Sequence, residues 1–246
     1  MRIAGIEPCS FVDWPGHVVA VLFTPGCNLD CYYCHNRHLV SLGNGEQTRA
    51  ELTKILRWLE MRRGFLEGVV FSGGEATLQT GLEEFVRQVR NLGFKTKLDT
   101  NGTQPRRLEK LLTDSLFDYV AMDVKASGTK YDSICRAKVS QEDIDASIHA
   151  IITLAPDYEF RTTVVPQLSE LDILEIAARI HGAKRYVLQQ YRKPPVYGAT
   201  ADLRTLHTPL PMEIVREMAK KASIYVAECT LRGFASVKNS TLAISG

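Results

Sequence analysis

Val18-Val19-Ala20-Val21-Leu22-Phe23-Thr24-Pro25-Gly26-Cys27-Asn28-Leu29-Asp30-Cys31-Tyr32-Tyr33-Cys34 leads from an apolar stretch, through Pro-Gly, into a loop with three cysteines. Residues 18–24 predict a buried strand, because a short Val-rich run closed by a turn signal fits a strand covered on both faces. The cysteines follow at once, spaced C-x3-C-x2-C. Three thiolates this close can ligate three corners of one iron–sulfur cube, and no fourth cysteine follows nearby as an electron-carrying ferredoxin would need. A cube with three protein ligands leaves one iron open, and an open metal position is what a catalytic site keeps. Spacing alone leaves two other outcomes open: a zinc site completed by His35 or His38, and a disulfide.

The same strand-then-loop grammar recurs down the chain. Strands are expected at 69–72, 95–100, 119–124, 158–165, 185–190 and 224–228. Between them lie helical patterns. Thr48-x-x-Glu51 is a capping box, and Leu52, Ile55, Leu56 and Leu59 then share one helix face, with Gly64 as the expected stop. Further helices are expected at 81–92, at 106–112, around Ile144, Ile148, Ile151 and Ile152, and at 170–180 and 212–222. Strand–helix alternation predicts an α/β fold with a parallel sheet and right-handed crossovers. The units fall short of eight, so the expected architecture is a partial (β/α)6 TIM-like barrel. One domain is expected over 1–246, with its core at about 14–230, residues 1–13 as an edge segment, and 2–12 as a possible hairpin.

The unusual residues stand where strands end. Cys27 follows the first strand and Gly73-Gly74-Glu75 the second, while Asp99-Thr100-Asn101-Gly102 closes the third. Asp123 and Lys125 close the fourth, and Arg161 lies in the fifth. In a parallel barrel these ends share one face, where active sites are built. The segments 125–141 and 191–211 are long and polar, and loops of that length in a compact domain are often functional. They are expected to shape a groove for a partner.

A Gly-Gly pair lets backbone approach a ligand closely, and its carbonyls can accept from an ammonium. Asp99 can accept from an ammonium or hydroxyls, and Lys125 supplies a point charge for a carboxylate. Tyr33 can stack on a ring or present backbone groups to it. Each has an ordinary alternative: turn chemistry for the Gly-Gly and Asp-Thr-Asn-Gly runs, a helix N-terminal charge for Glu75, a solvated charge for Lys125, polar loop positions for His35 and His38.

Composition bounds the rest. The chain has 246 residues, 45% hydrophobic and 24% charged, an ordinary globular balance. A net charge of +2 with interspersed signs gives no nucleic-acid footprint. No apolar run is long enough to span a membrane, and the first residues lack the apolar core of a secretion signal. Six cysteines, three of them clustered, fit a reducing compartment, so a cytoplasmic location is expected. Cys9, Cys135 and Cys229 are too scattered for a second cluster, and Cys229 is expected to be a buried structural cysteine.

The cysteine spacing with an aromatic before the last ligand resembles the radical S-adenosylmethionine (SAM) superfamily, and Phe71-Ser72-Gly73-Gly74-Glu75 resembles its cofactor-amine motif. Ser10-Phe11-Val12-Asp13-Trp14-Pro15-Gly16, Tyr33-Cys34-His35-Asn36, Asp99-Thr100-Asn101-Gly102 and Met122-Asp123-Val124-Lys125 are similar to segments of its glycyl-radical-enzyme activases. The match is closest to the longer type that activates anaerobic ribonucleoside-triphosphate reductase. The resemblance implies a [4Fe–4S] cluster on Cys27, Cys31 and Cys34, whose open iron chelates the amine and carboxylate of SAM. It implies reductive cleavage of SAM to methionine and a 5′-deoxyadenosyl radical, which takes hydrogen from a glycine of a partner enzyme. Gly73, Gly74, Glu75 and Asp99 would serve the SAM amine, Lys125 its carboxylate, and Tyr33, Cys34 and His35 the adenine side. Asn101 and Arg161 would complete the pocket. Flavodoxin or ferredoxin would supply the electron, with neither nucleic acid nor membrane as partner. Pyruvate formate-lyase activases carry a Pro-Tyr-His run at the sixth strand; here Tyr191 stands where that histidine would be. A pyruvate formate-lyase type of activase, and a radical enzyme acting on a small molecule or tRNA base in the manner of 7-carboxy-7-deazaguanine synthase, are the competing functions.

Overall fold

A computed structural model of the chain describes residues 1–40, 48–194 and 202–234. Eight strands form one sheet in sequence order. They are β1 Gly5–Ser10, β2 Val19–Thr24, β3 Gly68–Gly73, β4 Lys95–Thr100, β5 Tyr119–Asp123, β6 Tyr158–Val164, β7 Arg185–Gln190 and β8 Glu228–Arg232. β1 runs antiparallel to β2 as the expected edge hairpin, and β2 to β8 are all parallel. The helices are α1 Arg37–Val40, α2 Arg49–Glu60, α3 Leu82–Asn91, α4 Pro105–Thr113, α5 Tyr131–Cys135, α6 Gln141–Leu154, α7 Glu170–Arg179 and α8 Met212–Ala222. Parallel strands with helical crossovers, stopping short of closure, make the partial TIM-like barrel that the strand–helix alternation predicts.

Two expectations shift. The last strand lies at Glu228–Arg232 rather than 224–228, and it completes the seven parallel strands β2 to β8. The apolar residues that suggested the earlier position form a packed turn instead. Tyr225 accepts from Gly182 N at 2.9 Å, Ala227 N donates to Ala183 O at 2.9 Å, and Val226 is buried. α2 carries the expected capping box on Thr48 but ends at Glu60, before Gly64. Arg62 closes that end, donating to Trp58 O at 3.1 Å with its guanidinium 4.0 Å over the Trp58 ring.

Period-two alternation sorts the strand residues onto two faces. Leu22, Phe71, Leu98, Met122, Phe160 and Leu188 face the helices in the larger core. On the other face, Val19, Val21, Val70, Tyr119 and Ala121 meet Trp14 in a small apolar plug. Trp14 fills the N-terminal end of the barrel so closely that a Cβ on Gly68 would stand 3.0 Å from its ring. Above the plug the inner face is charged, and above that lie the C-terminal strand ends. No helix among the described residues is long and apolar enough to cross a membrane.

Candidate cluster and cofactor site

The Gly-Gly motif is pressed against the chain that enters the cysteine loop. Gly73 has φ +117°, and a Cβ there would stand 2.3 Å from Thr24 N. A Cβ on Gly74 would stand 2.0 Å from Gly26 O, which is backbone and has no room to give. Gly74 N donates to Thr24 O and Glu75 N to Gly26 O, each at 2.8 Å. Only glycine permits that approach.

Glu75 is 1% exposed. Its Oε1 accepts from Thr77 N (3.1 Å), Thr77 Oγ1 (2.5 Å) and Thr100 Oγ1 (2.8 Å), and its Oε2 from Asn101 N (2.7 Å). Burial pushes its carboxyl above the usual range, and these donors pull it partly back. Asn101 in turn donates to Cys27 Sγ at 3.7 Å and Asn28 Oδ1 at 3.1 Å. Glu75 and Asn101 therefore tie the ends of β3 and β4 to the first cysteine.

The charged layer lies beside this junction. Lys97 Nζ meets Asp99 Oδ1 at 3.0 Å and donates to the carbonyl of Asp13. Ser72 Oγ donates to Asp99 Oδ2 at 3.0 Å. Arg161 bridges Asp99 (3.3 Å) and Asp123 (2.8 Å), and Lys125 Nζ lies 2.8 Å from Asp123 Oδ2. Burial opposes ionisation of Asp99 and Asp123, but Arg161 and the neighbouring lysines outweigh it and hold both carboxyls below the usual range. Burial likewise opposes the charge on Lys125, and Asp123 outweighs it, so Lys125 stays an ammonium. Three cations against two carboxylates leave one positive charge in this row. Its free end, Lys125, lies in the field of Cys27, Cys31 and Cys34.

The thiols differ. Burial pushes Cys27 up to about 12 and also raises Cys34. Cys31 is held down at about 7, chiefly by a hydrogen bond from the Cys135 thiol. Metal ligation needs thiolates, so the loop is poised to ligate rather than already ionised throughout.

Cys27, Cys34, Tyr33, Gly73, Gly74, Asp99, Asn101, Lys125 and Arg161 thus lie around one strand-end region. His35 and His38 are exposed on its rim. Tyr191 is turned elsewhere: it is fully buried and its hydroxyl donates to Thr205 O at 3.1 Å. The segment 125–141 is no bare loop, for it holds a 3-10 turn and α5. Residues 195–201 of the second long segment lie outside the described residues. The part that follows, a 3-10 turn at Leu203–Leu206, covers the cysteine loop: Arg204 lies 4.3 Å over the Tyr32 ring and pairs with Asp202 at 2.7 Å. From α5, Arg136 pairs with Asp30 and with Asp202 (3.4 Å). Cys135, Arg136, Asp202 and Arg204 lie in the two long segments expected to be functional, but their individual contacts with the cysteine loop escaped sequence analysis, because partners this distant in the chain leave no local pattern.

The donor set fits a three-thiolate cluster with a small zwitterionic cofactor: a Gly-Gly cradle that any Cβ would fill, a carboxylate and an ammonium beside it, and an unpartnered buried hydroxyl on Tyr33. Comparison with known proteins agrees with this chemistry. Residues 21–180 match the model of the radical SAM superfamily. A Methanocaldococcus jannaschii protein named as a glycyl-radical enzyme activating enzyme is 35% identical over 237 residues, 94% of this chain and 95% of its own. The pyruvate formate-lyase-activating enzyme of Clostridium pasteurianum is 31% identical over 175 residues, 69% of this chain and 71% of its own. A domain of pyruvate formate-lyase-activating enzyme from Bacteroides vulgatus superposes with a TM-score of 0.55 at 17% identity, covering 68% of this chain and 99% of that domain, which speaks for the fold.

Proposed function

Because this chain belongs to the radical SAM superfamily, we propose that it is the activating enzyme of a glycyl-radical enzyme, with an anaerobic ribonucleoside-triphosphate reductase as the partner. The observation that supports the activase reading is similarity along nearly the whole chain to a protein named as a glycyl-radical enzyme activating enzyme, not in the superfamily motifs alone. Residues 1–246 act as one radical SAM domain. Cys27, Cys31 and Cys34 hold a [4Fe–4S] cluster, and SAM is the cofactor. When bound, the two supply the one-electron cleavage chemistry that hydrogen-atom abstraction from a glycine requires.

The residues of the chain bind and orient. Asp99, ionised and kept so by Lys97 and Arg161, accepts from the cofactor amine together with carbonyls of the Gly73-Gly74 turn. Lys125 holds the cofactor carboxylate with the positive charge that Asp123 does not cancel. Tyr33 and His35 flank the adenine through their backbones. No general acid or base is needed. Flavodoxin or ferredoxin delivers the electron.

The test is anaerobic incubation with SAM, a reductant and a candidate partner encoded beside this gene that carries a C-terminal glycine motif. An EPR doublet from a glycyl radical on the partner is the expected result. Cleavage of SAM with no such doublet would overturn the proposal in favour of a small-molecule substrate.

A further inference from the structure

Tyr33 has a hydroxyl that the site described so far leaves unused. The residue is 7% exposed and its ring packs edge-on against Tyr32 at 5.4 Å. Its Oη is buried and has no hydrogen-bond partner among the described residues. A buried donor left unmade is costly, and a redox or catalytic role is one of the explanations for such a group. The buried phenol has Lys125, Cys31, Cys135 and Asp123 as its charged or ionisable neighbours.

A second donor comes to the same place from α5. Cys135 is fully buried, with its thiol a neighbour of that of Cys31. The backbone fixes this contact from both sides. Asp30 N donates to Cys135 O at 2.9 Å, and Tyr32 N to Ile134 O at 3.3 Å. Once Cys31 is an iron-bound thiolate it can only accept, which leaves the Cys135 S–H as the donor.

We propose that Tyr33 Oη and Cys135 Sγ donate hydrogen bonds to sulfur atoms on the Cys31 side of the cluster and so set its reduction potential. The proposal rests on the cluster reading above. Hydrogen bonds to cluster sulfurs favour the more negative, reduced state and raise the potential. Both are positioning residues, acting through the cluster. The rival acceptor for Tyr33 is the cofactor carboxylate beside Lys125; the company of two cysteines favours sulfur.

The experiment compares the wild-type chain with Tyr33→Phe, which removes one oxygen, and Cys135→Ala. Each is reconstituted anaerobically, assayed for iron, and titrated with mediators under EPR in the absence of SAM. Both variants are expected to keep the iron content of wild type. In each, the reduced-to-oxidised ratio at a fixed potential should fall roughly tenfold, about 59 mV for a one-electron couple. Unchanged midpoints with full iron would overturn the proposal. So would a Tyr33→Phe midpoint that stays put while SAM affinity drops, since the hydroxyl would then serve the carboxylate. If Cys135→Ala cannot hold iron, the Tyr33→Phe midpoint decides. A wild-type chain that binds no four-iron cluster fails the earlier reading instead, and the iron assay separates the two.

Discussion

Glu75 holds four donors and no cation, which is an unusual use of a buried carboxylate. Its shape explains why a glutamine will not serve. Oε1 and Oε2 both face N–H or O–H groups, so one end of an amide would set a donor against a donor. Glu75→Gln should destabilise the chain by about 1–3 kcal/mol, read as a lower urea midpoint with an unchanged slope. Gly74 makes a sharper case. The atom that its Cβ would strike at 2.0 Å is the Gly26 carbonyl, so Gly74→Ala has to push the cysteine loop away from β3. The expected outcome is a folded protein that reconstitutes with less iron than wild type; full iron content would show that the loop yields without consequence. Glycine runs and acidic residues at strand ends were legible in the sequence, but the role of Glu75 was not. A motif shows that a carboxylate is present, and only the fold shows that Thr77, Thr100 and Asn101 already surround it.

At the scale of elements, legibility followed chemistry. β4 and β7 coincide with the expected 95–100 and 185–190, because both are bounded runs with a buried centre. β8 was expected four residues too early, at 224–228, since Glu228–Arg232 carries charge at both ends and is only partly buried. α5 was invisible, being five residues long and held by the loop that it in turn supports. Arg136, at its C-terminal end, adopts φ 49°, a left-handed conformation that costs an L-residue about 1 kcal/mol. Its pairs with Asp30 and Asp202 offset that cost. Two substitutions separate the terms. Arg136→Ala keeps the strain and loses the pairs, whereas Arg136→Gly loses both. The glycine variant should therefore be the more stable of the two by about 1 kcal/mol, measured by urea unfolding; equal stability would mean that the backbone relaxes.

Across the whole molecule the barrel interior is graded, from the apolar plug at Trp14 through the charged layer to the strand ends, and Arg161 is the centre of that layer. The sequence placed Arg161 in the fifth parallel strand and near the site. It could not show that the guanidinium bridges two carboxylates from neighbouring strands. Asp99 and Asp123 titrate below their unfolded value of about 3.9. Their stabilising share is thus present above that pH and lost as the pH falls through the folded values. Between pH 5 and 8 these two groups give the wild type a flat profile. Arg161→Met removes the bridge and leaves burial less opposed, so both carboxyls rise, although Lys97 and Lys125 remain. For a carboxyl raised above its unfolded value the sign reverses, and its share is lost as the pH rises through the new folded value. Arg161→Met should cost about 3 kcal/mol at neutral pH and less at pH 5. The gap in urea midpoint between wild type and variant should therefore widen from pH 5 to pH 8. A gap that is the same at both values would show that the lysines suffice to keep Asp99 and Asp123 ionised without Arg161.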